Sequence, residues 1–146
     1  MNAAEAVRGR QSKKVLVFGV FDGLHEGHRA FLKAAKGLGG YLVVVVAPDR
    51  VVVRLKGKKP TYGLASRMKR LRRVVYVDVV IKGDNNLGTY EVIKHFQPDV
   101  IALGYDQKTL RGDLLRKAKQ FPWRPKVRMM KPHRPSEFHS RLFRGN

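Results

Sequence analysis

The sequence predicts an α/β protein in which five parallel strands form an open sheet with helices on both faces. Short runs rich in Val, Ile and Leu recur along the chain, and amphipathic helical patterns lie between them. Several of these runs are apolar throughout, which is typical of strands that are covered on both faces of a parallel sheet. The alternation favours crossover connections and a Rossmann-like architecture. We expect the strand order 3-2-1-4-5.

Turn and breaker residues separate the predicted elements. QPD at 97–99 divides the third helix from the fourth strand because proline cannot continue a helix. GLGG after the first helix supplies glycine for a left-handed cap, and the segment 55–63, rich in Lys, Gly and Pro, is predicted as an irregular connection. Strands are predicted at 14–20, 41–47, 77–81, 99–103 and 126–130, and helices at 27–38, 64–73, 87–96 and 110–120.

Length and composition favour one domain. A chain of 146 residues with 43% hydrophobic and 29% charged residues can bury one sizeable core. We expect a flexible basic arm at 1–12 and a single domain at 13–146. No apolar run is long enough to span a bilayer and the first residues lack the apolar core of a secretory signal, so we expect a cytoplasmic protein. Because cysteine is absent, a disulfide framework, a thiolate zinc site and a cysteine nucleophile are excluded.

The chain is strongly basic. It has 31 Lys and Arg against 11 Asp and Glu, a formal charge of +20. Such a charge attracts polyanions, so nonspecific polyanion binding is expected, although a generally basic proteome would give the same charge without a specific partner.

The segment GVFDGLHEGH at 19–28 joins the first strand to the first helix and carries His25 and His28. Ligands bind beside the carboxyl ends of strands in doubly wound sheets, and a helix N-terminus at that place attracts phosphate. The spacing of the histidines lets both point into this mouth, and Gly27 lets the backbone approach a ligand closely. Two alternatives stay open: a metal clip, for which few further ligands are at hand, and a pair of loop histidines without a role.

GVFDGLHEGH resembles the HxGH signature of the cytidylyltransferase-like nucleotidyltransferases, together with the Gly-x-Phe-Asp run that precedes it. VAPDRVVVRLKGKKP, SRMKRLRRVVYVDVVI, PDVIALGYDQ and PSEFHSRLF are similar to stretches of the archaeal-type FAD synthetases. The resemblance covers nearly the whole chain from Lys13 onward. It implies transfer of AMP from ATP to FMN, with a divalent cation such as Mg²⁺ carried on the nucleotide and with neither an organic prosthetic group nor protein metal ligands. Relatives are often dimers, so a homodimer is expected.

The resemblance also assigns roles to individual residues. The residues expected to be catalytic are His25, His28, Lys58 and Arg134. The residues expected to bind the acceptor are Lys56 and Arg67. The residues expected to bind the nucleotide are Val20, Phe21, Asp22, Gly27, Gly104, Asp106, Phe138, His139 and Ser140.

Some positions leave more than one interpretation open. Val20 stands where many relatives have threonine, which removes one hydroxyl from the nucleotide site. Asp106 is expected to accept from a ribose hydroxyl, with helix capping as the alternative. Trp123 is expected to pack beneath a loop, with flavin stacking as the alternative.

Two other functions compete with FAD synthesis. A CTP-dependent cytidylyltransferase that acts on glycerol 3-phosphate or a similar small phosphorylated alcohol would share every catalytic residue and differ in its base and acceptor pockets. A non-catalytic nucleic-acid-binding protein on the same fold is suggested by the charge of +20 and by the RMKRLRR helix.

Overall fold

The computed structural model describes residues 12–132, in which strands and helices alternate. In chain order the elements are β1 Lys13–Gly19, α1 Glu26–Gly37, β2 Gly40–Val46, α2 Asp49–Lys56, α3 Leu64–Arg72, β3 Val79–Lys82, α4 Glu91–Phe96, β4 Val100–Leu103, α5 Lys108–Ala118 and β5 Lys126–Met129. The strands form one five-stranded sheet in the order β3-β2-β1-β4-β5, and each neighbouring pair is parallel. The predicted fold class and strand order are confirmed.

Helices cover both faces of the sheet. Successive residues of a strand point to opposite faces, so a buried strand such as β2 contributes to two cores at once. On one face α1 and α3 pack through Leu32 and Leu71. On the other face α4 and α5 pack through Ile93 and Leu114. This double coverage explains why the central strands are apolar throughout, since neither of their faces meets water.

Helix α2 was not predicted. The segment 55–63, expected to be irregular, begins inside the last turn of this helix, which extends to Lys56. Three consecutive valines at 51–53 argue for a strand by local preference, because β-branched side chains lose rotamer freedom in a helix. Val51 and Val52 are nevertheless buried, and their burial outweighs that preference.

Helix α4 is shorter than the predicted helix at 87–96. The Asp84 carboxylate accepts hydrogen bonds from the backbone N–H groups of Glu91 at 2.7 Å and Val92 at 3.0 Å, and also from the hydroxyl of Thr89 at 2.6 Å. These bonds satisfy the first amides of the helix and fix the preceding residues as an ordered loop.

The turn after α1 also differs from the prediction. The helix ends at Leu38 in a right-handed conformation, with φ of −76°, and no left-handed glycine caps it. The GLGG glycines serve the next strand instead. Gly40 starts β2 with φ of 95°, and a Cβ atom at Gly39 would clash with the carbonyl oxygen of Lys13.

The predicted basic arm lies outside the described residues apart from residue 12, so the bounds of the arm and of the domain stay predictions. Within residues 12–132, no helix is long and apolar enough to cross a membrane.

Candidate active site

An open cleft of about 1560 Å³ lies at the carboxyl ends of the strands. The loops that follow all five strands line it, together with the start of α1. The chain runs from β1 outward to β2 and β3, and then returns to β4 on the other side of β1. This reversal is the switch point at which open α/β sheets bind their ligands.

His25 and His28 form a reciprocal cap at the start of α1. The Nδ1 atom of His25 accepts from the backbone N–H groups of Gly27 at 3.1 Å and His28 at 3.3 Å. The Nδ1 atom of His28 accepts from the backbone N–H of His25 at 3.3 Å. The rings stack with their centroids 3.7 Å apart. Because both Nδ1 atoms accept hydrogen bonds, the ring proton of each neutral histidine is on Nε2.

This cap changes the expected phosphate site. The ring of His25 occupies the amides of Gly27 and His28, two of the N–H groups that a helix start otherwise leaves open. In this conformation the donors available to an anion are the imidazole Nε2–H groups, which extend the positive end of the helix into the cleft.

The environment of His28 keeps its ring neutral. Burial lowers the pKa of His28 from its ordinary value of 6.5 to about 4, and the nearby His25 and Lys56 act in the same direction. The carboxylate of Asp106 opposes them without reversing the shift. At neutral pH the ring of His28 therefore offers one N–H donor and no charge.

We expect His28 to stay uncharged through the mildly acidic range, and NMR of the imidazole nitrogens is the direct measurement. Since the pKa in the folded protein is below that of the unfolded chain, protonation favours unfolding. The contribution of neutral His28 to stability is present above a pH of about 6.5 and is lost as the pH falls toward about 4. The ring signals, assigned by their loss in His28→Asn, should remain those of the Nε2–H tautomer at pH 6. A midpoint near 6.5 for this residue would contradict the expectation.

The ring of Phe21 packs against the ring of His28. The backbone of Phe21 has a left-handed φ of 51°, a conformation that costs energy for a residue other than glycine. Its ring is buried and lies edge-on to His28, with centroids 5.4 Å apart. Gly19 leaves room for this ring, because a Cβ atom there would lie 2.5 Å from Cε2 of Phe21. Val20 and Phe21 both line the cleft, as expected of nucleotide-binding residues.

Asp22 ties the loop at 57–63 to the histidine loop. Its carboxylate accepts from the backbone N–H groups of Thr61 at 2.7 Å and Tyr62 at 2.8 Å. Burial by itself would raise the pKa of Asp22, but these two hydrogen bonds and the charge of Arg67 bring the pKa below its ordinary value. The carboxylate is therefore ionised and bound to protein atoms, which makes it a support of the cleft wall.

Arg67 does not reach the cleft, contrary to the expectation that it binds the acceptor. Its side chain is 0% exposed. The guanidinium donates to the carbonyl oxygens of Val20 at 2.9 Å and Tyr62 at 2.8 Å, and to the carboxylate of Asp49 at 2.6 Å. It joins the histidine loop, the start of α2 and the loop before α3. The sequence carried a signal of this burial, because Arg67 has the helical spacing of the apolar residue Leu71.

The two lysines predicted for the phosphates separate in the structure. Lys56, the last residue of α2, lines the cleft, whereas Lys58 is exposed and is not among the described residues that line it. Gly57 turns the chain between them with φ of 75°. Of these two lysines, Lys56 is the one placed to neutralise a ligand in this conformation.

The loop after β4 faces the histidine loop, as the strand order predicts. Gly104 and Asp106 line the same cleft as His28, and the charge of Asp106 acts on that ring. Gln107, which the sequence prediction missed, accepts from the Gly104 amide at 2.8 Å and donates to the Phe18 carbonyl at 3.3 Å. Gln107 rather than Asp106 occupies the helix cap position, and its side chain makes no cap hydrogen bond. Asp106 is exposed beside the cleft.

Trp123 has a packing role. Its indole N–H donates to the carbonyl oxygen of Pro98 at 2.8 Å, and its ring stacks on Phe121 with centroids 4.7 Å apart. It is not among the described residues that line the cleft, so flavin stacking is not supported.

Four predicted site residues lie outside the described residues and stay predictions: Arg134, Phe138, His139 and Ser140. Within the described part, no group of three or more His, Asp or Glu could hold a metal ion. The metal-clip alternative for His25 and His28 gains no support, since both Nδ1 atoms accept from the backbone.

Two imidazole rings line a cleft at the switch point of the sheet, the place at which α/β proteins with a helix start beside the sheet bind phosphate groups. The family model described as cytidylyltransferase-like matches residues 16–142. The chain belongs to the cytidylyltransferase-like family.

Within this family, the chain is similar to several individual proteins of known name or structure. An FAD synthase of Pyrococcus abyssi is 48% identical over 99 residues, which cover 68% of this chain and 67% of that protein. An FAD synthase of Thermococcus sibiricus is 46% identical over 94 residues, 64% of each chain, so the match spans less than two thirds of that relative. The crystal structure of a lipopolysaccharide core biosynthesis protein from Thermoplasma volcanium GSS1 aligns with a TM-score of 0.76 and 36% identity, covering 83% of this chain and 98% of that one. The resemblance to archaeal FAD synthetases is confirmed.

Proposed function

We propose that this protein is an FAD synthase that transfers AMP from ATP to FMN and releases pyrophosphate. The observation that carries the proposal is the pair of stacked histidines, His25 and His28, that lines the cleft at the switch point. Two further facts support it: several similar proteins bear the name FAD synthase, and the cleft of about 1560 Å³ exceeds the usual size of a site for one small molecule. Two substrates, a nucleotide and a flavin, account for such a volume.

The chemistry requires positioning and charge stabilisation rather than a protein nucleophile. A phosphate oxygen of FMN attacks the α-phosphorus of ATP, and the bond from that phosphorus to the bridging oxygen breaks as pyrophosphate leaves. The attacking oxygen is ionised at neutral pH, so no general base is needed. The Nε2–H groups of His25 and His28 donate to triphosphate oxygens on which negative charge develops. Lys56 attracts the acceptor phosphate as a point charge.

The other polar groups have supporting roles in the proposal. Asp106 accepts from a ribose hydroxyl on the β4 side of the cleft. Arg134 and Ser140 hold the β- and γ-phosphates, as the family resemblance implies. A divalent cation arrives with the triphosphate, since phosphates and water supply most of the ligands of Mg²⁺ in such sites. The described residues offer no group of three acidic or histidine ligands of their own.

Pyrophosphate release with four substrate pairs tests the proposal. ATP or CTP is combined with FMN or glycerol 3-phosphate, each with magnesium, manganese or cobalt. We expect release only with ATP and FMN, its loss in His28→Ala, and its retention in His95→Ala. His95 is the matched control because it is an exposed histidine outside the residues that line the cleft.

Other outcomes would redirect the assignment. Release only with CTP would establish the cytidylyltransferase alternative. If no pair reacts and no triphosphate binds, while the protein is retained on DNA or RNA in a salt-dependent way, the nucleic-acid-binding alternative would replace the enzyme. Gel filtration tests the predicted homodimer separately.

A further inference from the structure

The cleft has two halves, one on each side of the histidine loop. The half beside β4 and β5 is lined by the loop that holds Tyr105, Asp106 and Gln107. The half beside β2 and β3 is lined by the end of α2 and by the loop after β3, and each of these contributes one exposed leucine. Leu55 and Leu87 lie there, 56% and 50% exposed respectively.

Leu55 extends the buried face of α2 into the open cleft. It lies four residues after Val51, so the two side chains are neighbours on one face of the helix. Val51 is buried, and both residues line the cleft. Val53, two residues from either, is on a different face and is not among the described residues that line the cleft. Among residues 12–132, this apolar face begins in the core and continues exposed into the cleft.

Leu87 lies in a loop that hydrogen bonds hold in place on both sides of it. Asp84 binds the hydroxyl of Thr89 at 2.6 Å, and that hydroxyl also lies 3.1 Å from the carbonyl oxygen of Asn86. The carbonyl oxygen of Gly88 accepts from Lys117 Nζ at 2.8 Å. These bonds hold the residues on both sides of Leu87, so its exposure belongs to an ordered loop. A surface that is fixed before the ligand arrives loses less conformational entropy on binding.

We propose that Leu55 and Leu87 form an apolar platform for the isoalloxazine ring of FMN, with Lys56 attracting the phosphate of the same molecule. The inference rests on the proposed function, because it assigns one half of the cleft to that acceptor. A flat aromatic ring gains from covering two half-exposed leucines, whereas glycerol phosphate has almost no apolar surface with which to do so. The platform would thus distinguish FMN from small phosphorylated alcohols.

Serine variants test the platform through FMN binding. In Leu55→Ser and Leu87→Ser we expect the Kd for FMN, measured by flavin fluorescence, to rise about five- to tenfold in each case. The Kd for ATP should be unchanged, and Val53→Ser should bind FMN like the wild type. Leu55→Met and Leu87→Met keep apolar volume and should restore most of the affinity.

A measurement on the unaltered protein covers the case in which a serine variant fails to fold. With methyl-labelled leucine, FMN should shift the methyl signals of Leu55 and Leu87 through its ring current and leave those of Leu115, exposed elsewhere, in place. The platform is wrong if these two signals stay still while FMN binds, or if folded serine variants bind FMN with unchanged affinity. If either of these results is found and the wild-type protein still makes FAD, the proposed function stands and the platform alone is wrong. If the wild-type protein makes no FAD, the proposed function itself is wrong.

Discussion

Replacing His28 with alanine is expected to lower the kcat of FAD formation by a factor of about 10²–10³, the usual effect of removing one preorganised donor to a developing negative charge. In the proposed function the ring of His28 donates its Nε2–H to the triphosphate, and alanine has no donor there. The measurement is FAD formation at saturating ATP and FMN, followed by chromatography. A folded His28→Ala protein with activity within tenfold of the wild type would remove His28 from the catalytic site.

Two further variants separate the donor from the helix cap. His28→Asn keeps an acceptor near the position of Nδ1 and is expected to retain the cap bond to the His25 amide, yet remain inactive. His28→Gln places an N–H group farther out along the side chain and is expected to recover part of the activity. If His28→Asn, which keeps the cap bond without the donor, were as active as the wild type, the loss in His28→Ala would reflect the cap alone.

Replacing Arg67 with methionine is expected to lower the free energy of unfolding by about 3–5 kcal/mol. Methionine fills similar space but leaves the carbonyl oxygens of Val20 and Tyr62 without their donors, and buried unsatisfied acceptors are costly. The measurement is urea denaturation followed by circular dichroism. Arg67→Lys keeps the positive charge but lacks the planar guanidinium group. Its free energy of unfolding should therefore lie between those of the wild type and Arg67→Met.

Asp49→Asn is the matched control for the charge of this group. Asp49 is half-exposed, so loss of its ion pair to Arg67 should cost about 1 kcal/mol or less. A cost for Arg67→Met no greater than that of Asp49→Asn would show that the guanidinium does not brace the histidine loop.

Much of the fold was predictable because hydrophobic burial dominates it. Apolar runs and glycine- and proline-rich breaks indicated the five strands, and the position of the histidine loop after the first strand indicated the switch-point site. Helix α2 was missed because its three valines favour a strand locally, whereas burial of Val51 and Val52 in the folded protein outweighs that preference. Tertiary contacts of this kind leave no pattern within a short window of sequence.

The site was predicted in part for similar reasons. Resemblance and strand order brought His25, His28 and Asp106 to one cleft. They did not show that the histidines cap each other, because histidine is an uncommon N-cap residue. Arg67 was assigned to the acceptor by the family resemblance alone, which does not show whether a side chain is buried. Its helical spacing from the apolar residue Leu71 was the one sign in the sequence that it faces the core.

The reciprocal histidine cap has an evolutionary consequence. In the proposed function each of the two rings both binds the triphosphate and satisfies the start of α1, so selection for a stable fold would preserve them even where selection for catalysis has ceased. A lineage that abandoned the reaction would keep the two histidines and change first at positions such as Lys56, whose side chain makes no hydrogen bond or ion pair within the described part of the chain. In this family, loss of catalytic activity would thus lead to substitutions at the edge of the cleft before it led to substitutions in the HxGH motif.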